Sequence, residues 1–171
     1  MSDNNAGVVL VGGQSSRMGA NKALLEYKGK PLIEHMADIL KSSGLQNIIF
    51  SGQIDGYQCT PDDTPFEGPA KAMFRIVEQN HHYDGFVFVP IDMPLLNPKM
   101  LHLLMEHKDG CYFSNWPLPC YIKSSTLKSQ KDSVQDLLNE NGINSIDLPD
   151  QYVAAMVNAN TPDDWKKVVN L

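Results

Sequence analysis

The densest chemistry in the sequence lies between residues 12 and 22, Gly12-Gly13-Gln14-Ser15-Ser16-Arg17-Met18-Gly19-Ala20-Asn21-Lys22. Glycines, hydroxyls and two cations follow directly on the apolar run Val8-Val9-Leu10-Val11. Glycine lets backbone N–H groups come close to an anion, and consecutive N–H groups in a tight turn make a nest for it. Arg17 can grip phosphate oxygens as a fork, and Lys22 can act on them as a point charge. A plain turn with surface cations would use the same glycines, but the position at a strand's end and the density of donors favour a phosphate. The spacing matches neither G-x-x-x-x-G-K-[ST] nor G-x-G-x-x-G, so the loop is not a P-loop or a dinucleotide fingerprint.

A second candidate is Asp92, inside Pro90-Ile91-Asp92-Met93-Pro94 and directly after the apolar run Phe86–Val89. Prolines on both sides fix the backbone and end the strand, so the carboxylate should stand out rigidly at the strand's carboxyl end. One carboxylate there suits Mg²⁺, which takes one or two carboxylates and completes its shell with water and phosphate oxygens. Asp62 and Asp63 precede Thr64-Pro65, a run that by itself reads as a turn. His81-His82 reads as surface loop, and His102 and His107 miss the i, i+4 spacing of a helical zinc pair. Cys111 and Cys120 read as small hydrophobes packed in strands, and Met100, Met105 and Trp165 as core.

These residues need elements to hold them. Val8–Val11, Ile48–Phe50 and Phe86–Val89 have the continuous apolar character of strands buried on both faces. Leu32, Ile33, Met36, Ile39 and Leu40 form a helical stripe that Gly44 ends. Pro69 opens a second helix with Ala70, Met73, Phe74 and Val77 on one face, and Asn97-Pro98 opens a third through Met100, Leu101, Leu104 and Met105. Weaker strands are expected near Tyr112 and over Cys120–Ile122, then a helix with Val134, Leu137 and Leu138, a strand over Tyr152–Val157, and a last helix capped at Thr161. Alternating strands and helices imply a single three-layer α/β/α domain over residues 1–171, with a mostly parallel sheet. In such sheets ligands bind beyond the carboxyl ends of the strands, here the loops 12–22, 51–56 and 90–97.

Bulk composition narrows the partners. The 171 residues carry 14 basic and 20 acidic side chains, a net charge of −6, which argues against nucleic acid or an anionic membrane as a partner. Three cysteines without C-x-x-C spacing exclude a disulfide framework and fit a reducing cytoplasm. The polar start Met1-Ser2-Asp3-Asn4-Asn5 is not a signal peptide, and no apolar stretch approaches the ~18 residues of a membrane span.

Leu10-Val11-Gly12-Gly13-x-Ser15-Ser16-Arg17-Met18-Gly19-x-Asn21-Lys22, followed by Gly29-Lys30-Pro31-Leu32, resembles the L-A-G-G-x-S-x-R-M-G-x-D-K opening of nucleotidyltransferases. Gly68-Pro69, Pro90–Pro94 and Asn158-Ala159-Asn160-Thr161-Pro162 extend the likeness over nearly the whole chain, and it is greatest to the molybdenum cofactor guanylyltransferases. The resemblance implies a Rossmann-like fold of the nucleotide-diphospho-sugar transferase type. It implies GTP as substrate, Mg²⁺ as cofactor and molybdopterin cofactor as acceptor, with transient contacts to other cofactor-biosynthesis proteins or apo-molybdoenzymes. It places Arg17, Lys22 and Asp92 in catalysis, Asp92 on the metal, and Leu10, Val11, Gly12, Gly13, Lys22, Ser51, Asp63 and Asp92 around the nucleotide, with Asp62 the neighbouring alternative to Asp63.

Four positions depart from the pattern. Asn21 stands for the aspartate before the lysine, and Ser51-Gly52-Gln53 for N-A-N. Gly68-Pro69-Ala70-Lys71-Ala72 stands for G-P-L-A-G, and Asn115-Trp116-Pro117 for H-P. A related cytidylyltransferase using CTP and a weakened nucleotide-binding homologue are the alternatives these departures leave open.

Overall fold

The computed structural model describes residues 3–12, 21–64 and 67–171. Residues 13–20, with the expected site residues Gly13 and Arg17, lie outside the described residues.

The chain runs β1 (Asn5–Leu10), β2 (Glu26–Tyr27), β3 (Lys30–Pro31), α1 (Leu32–Ser42), β4 (Asn47–Ser51), α2 (Pro69–Gln79), β5 (Gly85–Pro90) and α3 (Pro98–Met105). It continues through β6 (Cys111–Phe113), β7 (Trp116–Lys123), α4 (Val134–Glu140), β8 (Asn144–Ile146) and α5 (Pro162–Val169). Six strands form one sheet in the order β4-β1-β5-β7-β6-β8, and β2 pairs with β3 apart from it. Only β7 runs against its neighbours, β5 and β6, so the sheet is mixed but mostly parallel.

Alternation along the strands builds two cores. Val9, Val87, Val89, Phe113 and Tyr121 face one side, where α1, α3 and α5 pack through Leu40, Leu101 and Val168. Val8, Leu10, Phe86, Phe88 and Ile122 face the other, against α2 and α4 through Met73, Ile76 and Leu137. Each fully buried aliphatic or aromatic side chain contributes about 1.5–3 kcal/mol of hydrophobic free energy. The three layers expected from the sequence are therefore present, and Cys111 and Cys120 are buried strand residues as expected.

Several elements differ from the sequence reading, the short β2–β3 pair and the turn Lys22–Leu24 among them. The segment expected as a strand over Tyr152–Val157 is a 3₁₀ helix, Asp150–Met156. Tyr152 and Met156 alone are buried in it, and Ala154 between them is exposed, whereas a period-two strand would bury all three on one face. Strand β8, Asn144–Ile146, has no buried residue; it takes its place by parallel pairing with β6, which leaves no apolar run to read. No helix among the described residues is long and apolar enough to cross a membrane.

The register of the central strands aligns their carboxyl ends. Leu10 pairs with Ser51 on one side and with Pro90 on the other. Beyond the strands, Val11 N–H donates to Ser51 O at 2.8 Å and Ile91 N–H donates to Leu10 O at 3.1 Å. Gly52 completes this seam at a φ of +132°, with its N–H donating to Thr60 O at 2.8 Å. A Cβ at Gly52 would lie 2.8 Å from Val11 Cγ2 and 2.9 Å from Gly12 N, inside contact distance of both. Gly52→Ala should therefore destabilise the fold by about 1–3 kcal/mol, through crowding added to a backbone angle that suits glycine. Urea denaturation checks this, and an unchanged midpoint would show that the seam yields.

Candidate functional site

A cleft of about 440 Å³ opens at the aligned strand ends, and Gly12, Lys22, Asp92, Trp116, Asn158 and Asn160 are on its walls. Leu10 and Val11 also line it. Of the residues expected from the sequence, Leu10, Val11, Gly12, Lys22 and Asp92 thus share one cavity.

Lys22 begins a single 3₁₀ turn, Lys22–Leu24. Asn21 caps this turn, its side-chain oxygen accepting from Ala23 N–H at 3.2 Å. Asparagine and aspartate cap helical turns about equally well, so the departure at position 21 keeps the cap that sets the start of the lysine's turn. The Lys22 ammonium donates to Asn160 Oδ1 at 3.2 Å. This contact joins the early loop to the late Asn-Ala-Asn-Thr-Pro motif. Thr161 in turn caps α5, its hydroxyl accepting from Asp164 N–H while the Asp164 carboxylate accepts from Thr161 N–H.

Asp92 is partly buried just past β5. Its backbone carbonyl accepts from Ala159 N–H at 2.7 Å, which ties the same late motif to the acidic loop. Burial raises the Asp92 carboxyl above the usual carboxylate range, and the nearby charge of Lys22 offsets part of that rise. No group of three or more histidine, cysteine, aspartate or glutamate side chains is close enough to hold a metal among the described residues. A single, partly desolvated carboxylate is a donor set that fits Mg²⁺ with water and phosphate oxygens, and does not fit a zinc site.

A smaller cavity of about 90 Å³ adjoins the cleft through shared residues Leu10, Gly12 and Pro69. Ser51, 1% exposed, is on its wall, together with Asp62 and Ala72. Asp62, and not Asp63, is the aspartate brought to the site; Asp63 is exposed and lines neither cavity. The cause is Arg75 on α2, 7% exposed, whose Nη2 donates to Asp62 Oδ1 at 3.0 Å and whose Nη1 pairs with Glu67.

The other departures also find places. Lys71 turns to Asp132, 3.4 Å away, and lines neither cavity. Ala72 stands where the pattern has its second glycine, so its methyl group narrows the smaller cavity. Trp116, Pro117 and Leu118 give the cleft an apolar wall on β7. Arg75, Glu67 and this wall were not expected as site residues. The Trp116-Pro117 departure was the one sequence signal for any of them.

Comparison with known proteins agrees with this geometry. The chain shares its fold with a nucleotidyl transferase from Methanothermobacter thermautotroptrophicus, on which it superimposes with a TM-score of 0.75 at 18% identity over 97% of this chain and 96% of that one. A Mycobacterium tuberculosis protein solved in complex with manganese gives a TM-score of 0.66 at 16% identity, covering 99% of each chain. The model of the MobA-like NTP transferase domain matches residues 7–146. A molybdenum cofactor guanylyltransferase of Xanthomonas euvesicatoria is 31% identical over 96% of this chain and 94% of its own length. The chain belongs to the MobA-like NTP transferase family and is a nucleotidyltransferase.

One contact behind the site has a pH consequence. His35 on α1 donates through Nε2 to Pro94 O at 2.8 Å, and its ring meets Tyr27 edge-on at 4.5 Å. Burial is the largest influence on this ring and holds it below the ordinary histidine value, against the raising effect of the Pro94 bond. An unfolded histidine takes its proton near pH ~6.5. The stability carried by neutral His35 is therefore full above that pH and is lost as pH falls through the lower folded value. Denaturation midpoints measured from about pH 8 to about pH 5 should fall more steeply for the unmodified protein than for His35→Gln; parallel curves would contradict this.

Proposed function

We propose that residues 1–171 act as a single nucleotidyltransferase domain in the cytoplasm. Its reaction transfers GMP from GTP to the terminal phosphate of molybdopterin cofactor, giving molybdopterin guanine dinucleotide and pyrophosphate. The observation that carries this reading is the convergence of Gly12, Lys22, Asp92 and Asn160 on one cleft at the strand ends, in a chain 31% identical to a guanylyltransferase over 96% of its length.

Nucleotidyl transfer sets an acceptor oxygen in line with the α-phosphorus, and forming that bond expels pyrophosphate. It depends on positioning and on neutralising charge more than on covalent help from the protein. Gly12 brings its backbone to the cleft wall, and we extend the phosphate cradle to Gly13 and Arg17 on sequence resemblance. Lys22, held by Asn160, supplies a fixed positive charge facing the cleft. Ser51 and Asp62 line the adjoining cavity, and we assign them to the nucleoside end. Asp92 would hold Mg²⁺, which when bound supplies charge to the phosphate oxygens. A phosphate acceptor has its second pKa near ~6 and is largely ionised at neutral pH, so no general base is required. Other cofactor-biosynthesis proteins or apo-molybdoenzymes are the macromolecules this product would have to meet.

Purified protein with Mg²⁺ and molybdopterin should release pyrophosphate from GTP in preference to CTP, UTP or ATP; a preference for CTP would assign the chain to a cytidylyltransferase. Lys22→Ala should lower kcat by about 100-fold or more, the effect of removing one positioned charge donor, with the unfolding temperature little changed. Wild-type turnover in that variant would remove the lysine from the mechanism. Asp92→Asn should lose the magnesium-dependent activity, and an unchanged magnesium dependence would defeat the metal assignment.

A further inference from the structure

The buried ion cluster of Arg75, Asp62 and Glu67 is not explained by folding alone. Arg75 lies in the middle of α2 with 7% of its side chain exposed, and Asp62 and Glu67 are 15% and 9% exposed. One guanidinium therefore faces two desolvated carboxylates. Such clusters cost desolvation energy that their mutual attraction only partly offsets, and a well-packed apolar side chain at position 75 would avoid that cost.

The cluster has a geometric result. Asp62 gives one oxygen, Oδ1, to Arg75 at 3.0 Å. The other, Oδ2, faces Gly12: a Cβ added there would fall 3.2 Å from it. Oδ2 therefore lies close to the backbone at Gly12, where any side chain would crowd it. Asp62 and Gly12 both line the 90 Å³ cavity, which joins the cleft of Lys22 and Asp92 through Leu10, Gly12 and Pro69. A nucleotide with its phosphates in the cleft can place the edge of its base in the smaller cavity.

We propose that Arg75 is a positioning residue that aims Asp62 at the nucleobase, so that this buried ion cluster selects guanine. The proposal rests on the functional reading above. A carboxylate offers only acceptors. Guanine presents two adjacent donors, N1–H and the 2-amino group, that one carboxylate can meet. Adenine and cytosine put an acceptor next to their amino group, and uracil flanks its one N–H with carbonyls, so each would set an acceptor against Asp62. The planar fork of Arg75 holds Asp62 and Glu67 at once, and a lysine, as a single point charge, would not fix both. Glu67 forms an ion pair with Nη1, the other arm of the fork.

The test uses the purified full-length chain with Mg²⁺ and no acceptor, and compares calorimetric binding of GTP with that of inosine triphosphate, which lacks only the 2-amino group. The unmodified protein should bind GTP about tenfold or more tighter, the weight of one hydrogen bond to a charged acceptor. In Arg75→Lys the preference should fall towards one, because GTP loses two contacts to Asp62 and the inosine nucleotide only its N1–H contact. Asp62→Asn should lose the preference in the same way, and carries the test if Arg75→Lys does not fold. A purely structural role would weaken both nucleotides equally and leave their ratio intact. Equal affinities in the unmodified protein, or a full preference surviving in either folded variant, would overturn the proposal. Absence of GMP transfer with the GTP preference and its loss in the variants intact would fault the reaction assignment and sustain the role of Arg75.

Discussion

Everything at the site depends on the register of three parallel strands. Leu10 sits between Ser51 and Pro90, so the chain leaves β4, β1 and β5 at the same level. Two backbone hydrogen bonds then continue the pairing past the strands, Val11 to Ser51 and Ile91 to Leu10. A slip of one residue in either pair would turn each buried side chain to the opposite core. It would also move Asp92 away from Gly12. The hydrophobic pattern of β1 and β5 therefore specifies the active-site geometry and the fold together, and Gly52 lets the last loop close on the seam.

Charge completes what register begins. The protein carries a net charge of −6, yet both of its proposed substrates are polyanions. The attraction has to be local. Lys22 is tied to Asn160, and the Asp92 carbonyl to Ala159 N–H, so one late segment holds the cation and the acidic loop in fixed relation. Burial has already raised Asp92 and so disfavours its bare charge. A cation brought in with the phosphates would relieve that penalty, which couples metal and nucleotide binding physically.

The parts legible in the sequence were those with strong local patterns. The runs at 8–11 and 86–89 could pack only as strands buried on both faces, and their following loops carried the chemistry. What the sequence hid were relations between distant residues. Asp63 was expected at the nucleotide, but Arg75 draws in Asp62, and a helix read for its apolar stripe does not reveal that its arginine is buried against a loop. Tyr152–Val157 was expected to be extended because its apolar residues suggested a strand, whereas only Tyr152 and Met156 reach the core. Strand β8 is held by its neighbour's backbone and has no buried side chain of its own to announce it.

The central claim is that this site transfers GMP in one displacement, by placing and neutralising charge, with Lys22 acting as a cation and not as a nucleophile. The stereochemistry at the α-phosphorus tests it most directly. GTP made chiral at that position by one sulfur substitution should yield a dinucleotide with inverted configuration, the result of a single in-line attack by the acceptor phosphate. Retention would contradict the account, because it would require two displacements through a covalent guanylyl-enzyme.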